Sequence, residues 1–205
     1  MKELTSQEYW GNPDHAKVWI RQSDKCDMKH PSMKILAEDF KEHSKDFKSV
    51  LEVGAGNGRL IGMLSKKYKT KKFNSVDINP ELSKYVEKTY PNVKSFVGDV
   101  TKKLPFKDNS FDIVYTFQVL QHICPNDINK ALDELKRVAK KEIWFMEGWG
   151  DVDRWNCSNG HVRHEAGGGT FYWQLDKLIK GVYETGFVEG SKEKAVGTKM
   201  YKIKL

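Results

Sequence analysis

The stretch that most constrains this chain is Ser49-Val50-Leu51-Glu52-Val53-Gly54-Ala55-Gly56-Asn57-Gly58, an apolar run closed by three alternating glycines and followed by a segment of helical period. Val50, Leu51 and Val53 suit a strand buried on both faces, as strands of parallel sheets are. Gly54, Gly56 and Gly58 suit a tight turn into a helix. Backbone without a Cβ can there touch a ligand, and the free N–H groups at the helix start offer it donors.

The rest of the chain is organised around that turn. Residues 1–47 read as a helical cap, with Pro31 opening a helix and Tyr9, Trp10 and Trp19 supplying aromatic surface that either closes a substrate pocket or anchors the arm to the core. Residues 48–147 alternate strand and helix. Strands are expected at Phe73–Asp77, Val93–Val97, Phe111–Phe117 and Glu142–Met146, with helices after the glycine turn, from Pro80 and from about Ile128. Such an order predicts right-handed crossovers and a mostly parallel sheet covered on both faces. Residues 148–205 read as a substrate loop followed by a C-terminal helix and strands. Glu147 to Gly169 has six glycines, two tryptophans and no period, Phe171 to Glu184 reads as a last helix, and Thr198 to Leu205 as a final edge strand in an antiparallel C-terminal hairpin. The whole of 1–205 is expected to be one domain.

Composition narrows the partners. The formal charge of +7 comes from lysines dispersed along the chain without aromatic interleaving, which suits a solvated surface better than a specific nucleic-acid face. No apolar run is long enough to span a bilayer and the N-terminus lacks a signal-peptide core, so a soluble, cytoplasmic protein with no membrane partner is expected. Cys26, Cys124 and Cys157 are odd in number and widely spaced, which argues against a disulfide framework. Oligomeric state is not legible.

In an open parallel sheet the ligand crevice lies at the carboxyl ends of the strands, so the informative residues are those just past each strand. Asp77, 19 residues after Gly58, suits two ribose hydroxyls, because Asn79 before Pro80 is the better helix cap. Asp99 suits either an adenine amino group or an ordinary turn onto its own backbone. Ile78 and Val100, beside these acids, either sandwich a purine or pack in the core. Past the fourth strand stand Phe117 and Gln118. For proton transfer the candidates are His122, His161, His164, Glu147 and Asp151; His122, just after the fourth strand, either faces the pocket as a base or is a helix-start histidine satisfied by backbone. Cys157, His161 and His164 lack a convincing fourth metal ligand, so no metal is expected and these residues read as a polar lid or surface loop.

Taken in order, Glu52-Val53-Gly54-Ala55-Gly56-Asn57-Gly58, Val76-Asp77-Ile78-Asn79-Pro80, Gly98-Asp99-Val100, Leu104-Pro105-Phe106 and Phe111 through Ile123 resemble class I S-adenosylmethionine-dependent methyltransferases, most nearly the small methyltransferase type 11 group. The resemblance covers roughly residues 48–147. It implies an α/β, Rossmann-like doubly wound, mostly parallel seven-stranded sheet and the cofactor S-adenosylmethionine, with S-adenosylhomocysteine as product. Glu52, Gly54, Ala55, Gly56 and Gly58 would face the methionine end, Asp77 with Ile78 the ribose side, Asp99 with Val100 the adenine, and Phe117 the methyl-donor pocket. Gln121 departs from the acidic residue this group often has before the histidine, and the segment after Met146 matches no substrate motif of the family. The implied reaction moves a methyl group to an oxygen, nitrogen or carbon of a small-molecule acceptor. Alternatives are an RNA or protein methyltransferase using the basic surface, or a non-catalytic cofactor-binding module. A nicotinamide enzyme is more distant, because Arg59 stands where a dinucleotide fingerprint wants a small residue.

Overall fold

The computed structural model describes residues 6–23, 31–150, 161–164, 170–173, 175–191 and 196–205. The cap consists of α1 (Ser6–Trp10), α2 (Pro13–Ser23) and α3 (Pro31–Glu42). There follow β1 (Ser49–Val53), α4 (Arg59–Lys67), β2 (Lys72–Asp77), α5 (Pro80–Thr89), β3 (Val93–Val97), β4 (Phe111–Phe117), a 3-10 turn at Leu120–His122, α6 (Ile128–Val138) and β5 (Ala139–Gly150). The described remainder is β6 (His161–His164), β7 (Thr170–Trp173), α7 (Leu175–Leu178), β8 (Val182–Ser191) and β9 (Val196–Lys204).

The sheet runs β3-β2-β1-β4-β5-β9-β8, parallel from β3 to β5 and antiparallel where β9 joins β5 and β8. The order reverses between β1 and β4, which opens a crevice at the carboxyl ends of those strands. Side chains alternate across β5: Ile143 and Phe145 join the core built by α6, Val114 and Ile203, whereas Trp144 and Met146 join the core built by α3, α4, Ile113 and Tyr115. Both faces are therefore buried, which explains strands that read as nearly continuous apolar runs.

Four features of the second half differ from the sequence reading. β5 continues four residues beyond Met146, because its ladder with β9 extends to Gly150 opposite Val196. The segment read as one loop to Gly169 contains β6, which pairs with β7. The helix expected from Phe171 to Glu184 is instead β7, the four-residue α7 and β8, with Gly181 at φ 85° in the turn before β8. Phe171 and Trp173 are buried, and the Trp173 indole N–H donates to the Leu120 carbonyl at 2.7 Å, so these aromatics serve a strand face. β9 is an interior strand, and β8 takes the edge that had been expected for Thr198–Leu205.

The cap is fixed from below. Lys202 of β9 is 1% exposed, yet its ammonium lies 2.6 Å from Asp39 of α3 and 5.2 Å from the centre of the Trp144 ring. A buried ammonium needs such a partner to offset its lost hydration. Among the described residues no helix is long and apolar enough to cross a membrane.

Candidate active site

The glycine turn adopts a backbone that its sequence permits and few others would. Gly54, Gly56 and Gly58 all have positive φ, at 71°, 56° and 69°. At Gly54 space adds to conformation, since a Cβ would lie 2.4 Å from a Val119 methyl. The first strand's turn and the segment after the fourth strand can thus touch. At Gly58 a Cβ would lie 2.6 Å from Val86, so this glycine serves the approach of α4 to α5 and is not among the residues lining the cavity described next.

A cavity of about 220 Å³ lies at the carboxyl ends of the strands. Glu52, Gly54, Ala55, Gly56, Asp77, Ile78, Asp99, Val100, Phe117 and His122 all line it. Asp77 is 8% exposed, and its two oxygens accept from Gly56 N at 2.8 Å and Asn79 N at 2.9 Å. Burial raises its pKa, opposed by those amide bonds. Asn79 caps α5 by accepting from Glu81 N at 3.0 Å, which leaves Asp77 directed at the glycine turn. Asp99 makes the turn the sequence allowed: Oδ1 accepts from Thr101 N at 2.9 Å and from the Thr101 hydroxyl at 2.7 Å, and Oδ2 lies 3.3 Å from Lys102 Nζ.

Glu52 is 4% exposed, and its Oε2 is buried without a hydrogen bond, as is the Tyr115 hydroxyl. The two are close enough that the Tyr115 hydroxyl pulls the Glu52 carboxyl down while burial and Glu52 push the hydroxyl up. Burial, with a smaller push from Asp77 and opposing pulls that include Arg59, drives the Glu52 carboxyl up to about 8. Holding its proton spares this buried group the cost of an unbonded negative charge.

Glu147 looks similar by burial and is different by bonding. It is fully buried within β5, accepts the Thr116 hydroxyl at 2.6 Å and Val119 N at 3.1 Å on Oε1, and accepts Leu120 N at 3.0 Å on Oε2. Burial raises its pKa to about 7 despite these bonds. It does not line the cavity, which removes it as a candidate base and makes it the strut that shapes the Phe117–His122 segment. Gln118 in that segment has φ 55°, a conformation side chains rarely adopt, held in part by its N–H bond to Met146 O at 2.8 Å.

The cap closes the other side. Trp10, His15, Trp19 and Met33 line the cavity, and two buried asparagines hold the helices that carry the first three. Asn79 Nδ2 donates to the Trp10 and Asn12 carbonyls, both at 2.9 Å, and Asn57 Nδ2 to the Trp19 carbonyl at 3.1 Å. The tryptophans therefore do both things the sequence allowed, anchoring by backbone and lining by ring. The Trp10 ring lies 4.3 Å from that of His122. His122 Nε2 is 3.3 Å from Gln121 Nε2, and burial lowers its pKa to about 4.

His15, Met33, Asn57, Arg59, Gln118, Val119 and Gln121 line the cavity without having been singled out as binding residues. The glycine at 54 was the available signal for Val119, since it marks a close approach. The cap residues had none, being brought in by contacts spanning most of the N-terminal third. Of the other base and metal candidates, His161 and His164 lie in β6, while Asp151 and Cys157 fall outside the described residues.

Comparison with known proteins points the same way for the core of the chain. Residues 51–146 match the family described as "Methyltransferase domain". That stretch of the chain is similar to methyltransferase domains. It is 30% identical over 91 residues to a demethylmenaquinone methyltransferase of Chlorobaculum tepidum, covering 44% of this chain and 36% of that one. The methyltransferase fold extends over nearly the whole chain. A TehB-like SAM-dependent methyltransferase of Corynebacterium glutamicum superposes with TM-score 0.64 at 16% identity over 95% of this chain and 100% of that one, and the [4+2]-cyclase SpnF with TM-score 0.74 at 13% identity over 100% and 97%. At such identities the likeness is one of fold alone. The chain spans about half or less of the curated relatives it matches first, 51% of a Methanocaldococcus jannaschii protein and 36% of the Chlorobaculum methyltransferase.

Proposed function

We propose that this protein, acting as one domain over 1–205, transfers a methyl group from S-adenosylmethionine to an oxygen, nitrogen or carbon of a small-molecule acceptor. The observation that carries this reading is the convergence of Glu52, Asp77, Asp99 and Phe117, each at or just past the carboxyl end of a different parallel strand, on one cavity roofed by the cap. The residues fit the cofactor. Glu52 lines the cavity as a buried carboxyl, and Asp77 offers a carboxylate fixed by two backbone amides with lone pairs to spare for ribose hydroxyls. Gly54, Ala55 and Gly56 would run along the methionine end, Ile78 along the ribose and adenine, Asp99 and Val100 at the adenine, and Phe117 at the methyl-donor pocket.

When bound, S-adenosylmethionine supplies an already activated sulfonium methyl. What remains for the chain is to align the acceptor and keep water out, a task for the roof formed by Trp10, Trp19 and Met33. His122 is the candidate for handling an acceptor proton. The burial that keeps its imidazole neutral also makes it a weak base, so it suits taking a hydrogen bond from an acceptor hydroxyl better than holding a full proton.

Calorimetric binding of S-adenosylmethionine, S-adenosylhomocysteine and NAD to the wild type and Asp77→Ala tests the reading. The adenosyl ligands bind and NAD does not, and Asp77→Ala weakens them by about 1.5 to 3 kcal/mol, the range for a hydrogen bond to a charged group. Loss of no affinity would remove the ribose assignment, and no adenosyl binding at all would remove the function.

A further inference from the structure

Between Glu52 and Asp77 the chain has no acidic residue, while Lys66, Lys67, Lys69, Lys71 and Lys72 stand within seven positions. The fold sets this run at the amino ends of the parallel strands, away from the cavity, because α4 returns from the carboxyl end of β1 and closes at Lys67 before β2 opens at Lys72. Lys45 and Lys48, from the turn between α3 and β1, join it there. Lys72 N donates to the Lys48 carbonyl at 2.8 Å, and Lys71 Nζ to the Phe47 carbonyl at 2.6 Å. Lysines dispersed in the sequence are thus gathered on one face.

The charge of that face is not balanced locally. Lys45, Lys48, Lys66, Lys67, Lys69 and Lys72 are exposed, and among the described residues neither they nor Lys71 pair with a carboxylate. Lysines of the cap and of the segments that follow β2, β3 and β4 differ: Lys17, Lys84, Lys102 and Lys130 lie 2.8, 2.9, 3.3 and 2.7 Å from the carboxylates of Asp14, Glu81, Asp99 and Asp127. Asp46 is the one acid within residues 45–48 and 66–72, and the nearby Asp112 is turned inward, its Oδ2 accepting from Lys48 N at 2.7 Å and Ser49 N at 3.2 Å. What holds the lysines is aromatic. Lys66 Nζ lies 5.4 Å from the centre of the Tyr90 ring, Lys67 Nζ 5.3 Å from that of Tyr68, and Lys71 Nζ 5.0 Å from that of Phe47. A ring positions an ammonium without neutralising it.

We propose that this lysine face is a docking surface for the phosphate backbone of a nucleic acid, bound without regard to sequence. The inference stands apart from the methyltransferase reading, since it needs neither the cofactor nor an acceptor. A strip of unpaired ammoniums complements phosphates spaced along a strand, and each phosphate neutralised releases counterions. A membrane surface, the other phosphate-rich partner, is favoured by apolar residues standing out among the cations. The exposed large hydrophobics among the described residues, Val18, Val97 and Leu205, lie in neither lysine stretch. At about 3.3 Å per residue the five residues of β1 set the face roughly 15 Å or more from the cavity, so a docked strand tethers the protein and does not deliver the methyl acceptor.

The test is fluorescence anisotropy of a labelled oligouridylate RNA, titrated with the protein over a series of salt concentrations. The wild type should bind at low salt and weaken with a log–log slope of about −3.5 to −5, the value for about five to seven phosphates of a single strand. The triple variant Lys66→Gln, Lys67→Gln, Lys69→Gln should weaken binding about tenfold or more and make the slope shallower by about 2. Lys17→Gln, Lys84→Gln, Lys130→Gln removes the same net charge elsewhere and should change the affinity less than about twofold, because exposed charges beyond a Debye length are screened. Saturating S-adenosylhomocysteine should leave RNA affinity unchanged. No binding at low salt, equal losses in the two triple variants, competition by S-adenosylhomocysteine, or displacement of the RNA by phosphatidylserine vesicles at equal phosphate concentration would each overturn the proposal, the last giving the face to a lipid surface. Should the first triple variant fail to fold, Lys45→Gln with Lys48→Gln against Lys17→Gln with Lys130→Gln makes the same comparison. A failure of S-adenosylhomocysteine to bind would strike the cofactor reading, and the salt series and variants would still decide this one.

Discussion

Strands β1 and β5 each carry a glutamate that is almost wholly buried and whose pKa is raised by burial, Glu52 to about 8 and Glu147 to about 7. They differ in what their oxygens touch. Glu147 accepts a hydroxyl and two backbone amides and stands behind the cavity wall, whereas Glu52 lines the cavity and has a buried oxygen without a hydrogen bond. The comparison teaches that burial and a perturbed pKa do not by themselves mark a functional carboxylate. Bonding satisfaction separates a strut from a group awaiting a ligand.

The largest effect is expected from Glu147→Ala, which strands the Thr116 hydroxyl and two amides in a dry site. Denaturant unfolding should show a loss of about 3 to 5 kcal/mol, and hydrogen exchange should show Val119 and Leu120 losing protection first. A loss below about 1 kcal/mol would mean that Glu147 is no strut and would dissolve the contrast.

Glu52→Gln sharpens it from the other side through pH. Because the folded-state pKa of Glu52 lies above its ordinary 4.5, the native state holds a proton that the unfolded chain has released, and stability falls as pH rises from about 4.5 to about 8. The slope is on the order of 1.4 kcal/mol per pH unit for one proton. Glu147 adds a slope of the same sign that ends near pH 7, so the decline between pH 7 and 8 belongs mainly to Glu52. Unfolding curves measured from pH 5 to 9 should show Glu52→Gln flattening that last portion and becoming more stable than wild type at pH 8. Parallel curves for the two proteins would place Glu52 in a solvated, ordinary environment.

The smallest effect concerns the roof over Glu52. Asn79→Ala removes two bonds to the Trp10 and Asn12 carbonyls together with the cap of α5, and should cost about 1 to 2 kcal/mol. Limited proteolysis should then cut sooner within residues 6–23 than in wild type. Unchanged cleavage would show that the cap is held chiefly by Lys202 with Asp39 and by apolar packing.

Much of the nucleotide-side architecture was legible. β3 and β4 begin and end at the residues expected from their apolar runs, and Pro80 opens α5 with Asn79 as its cap, because these signals act between neighbours in sequence. The stretch from Phe171 to Glu184 was misread for the opposite reason, although the antiparallel strand over Thr198–Lys204 was legible. Phe171 and Trp173 fit a buried helix face or a buried strand face equally well, and only pairing with β6 and the bond to Leu120 select the strand. Glu147 was misread as a candidate base because an acid after a strand looks the same in sequence whether it faces the cavity or turns behind it.

The sequence by itself determined the turn at Gly54–Gly58 and the acids that follow the next two strands, because positive φ, strand period and capping are local demands that particular residue types meet. The tertiary structure alone decided that Glu52 is left one bond short, that Glu147 is fully bonded, and that Trp10 and His15 roof the same cavity. Those outcomes depend on groups from distant parts of the chain meeting in space. Their bonding and desolvation are properties of that meeting, which no local pattern encodes.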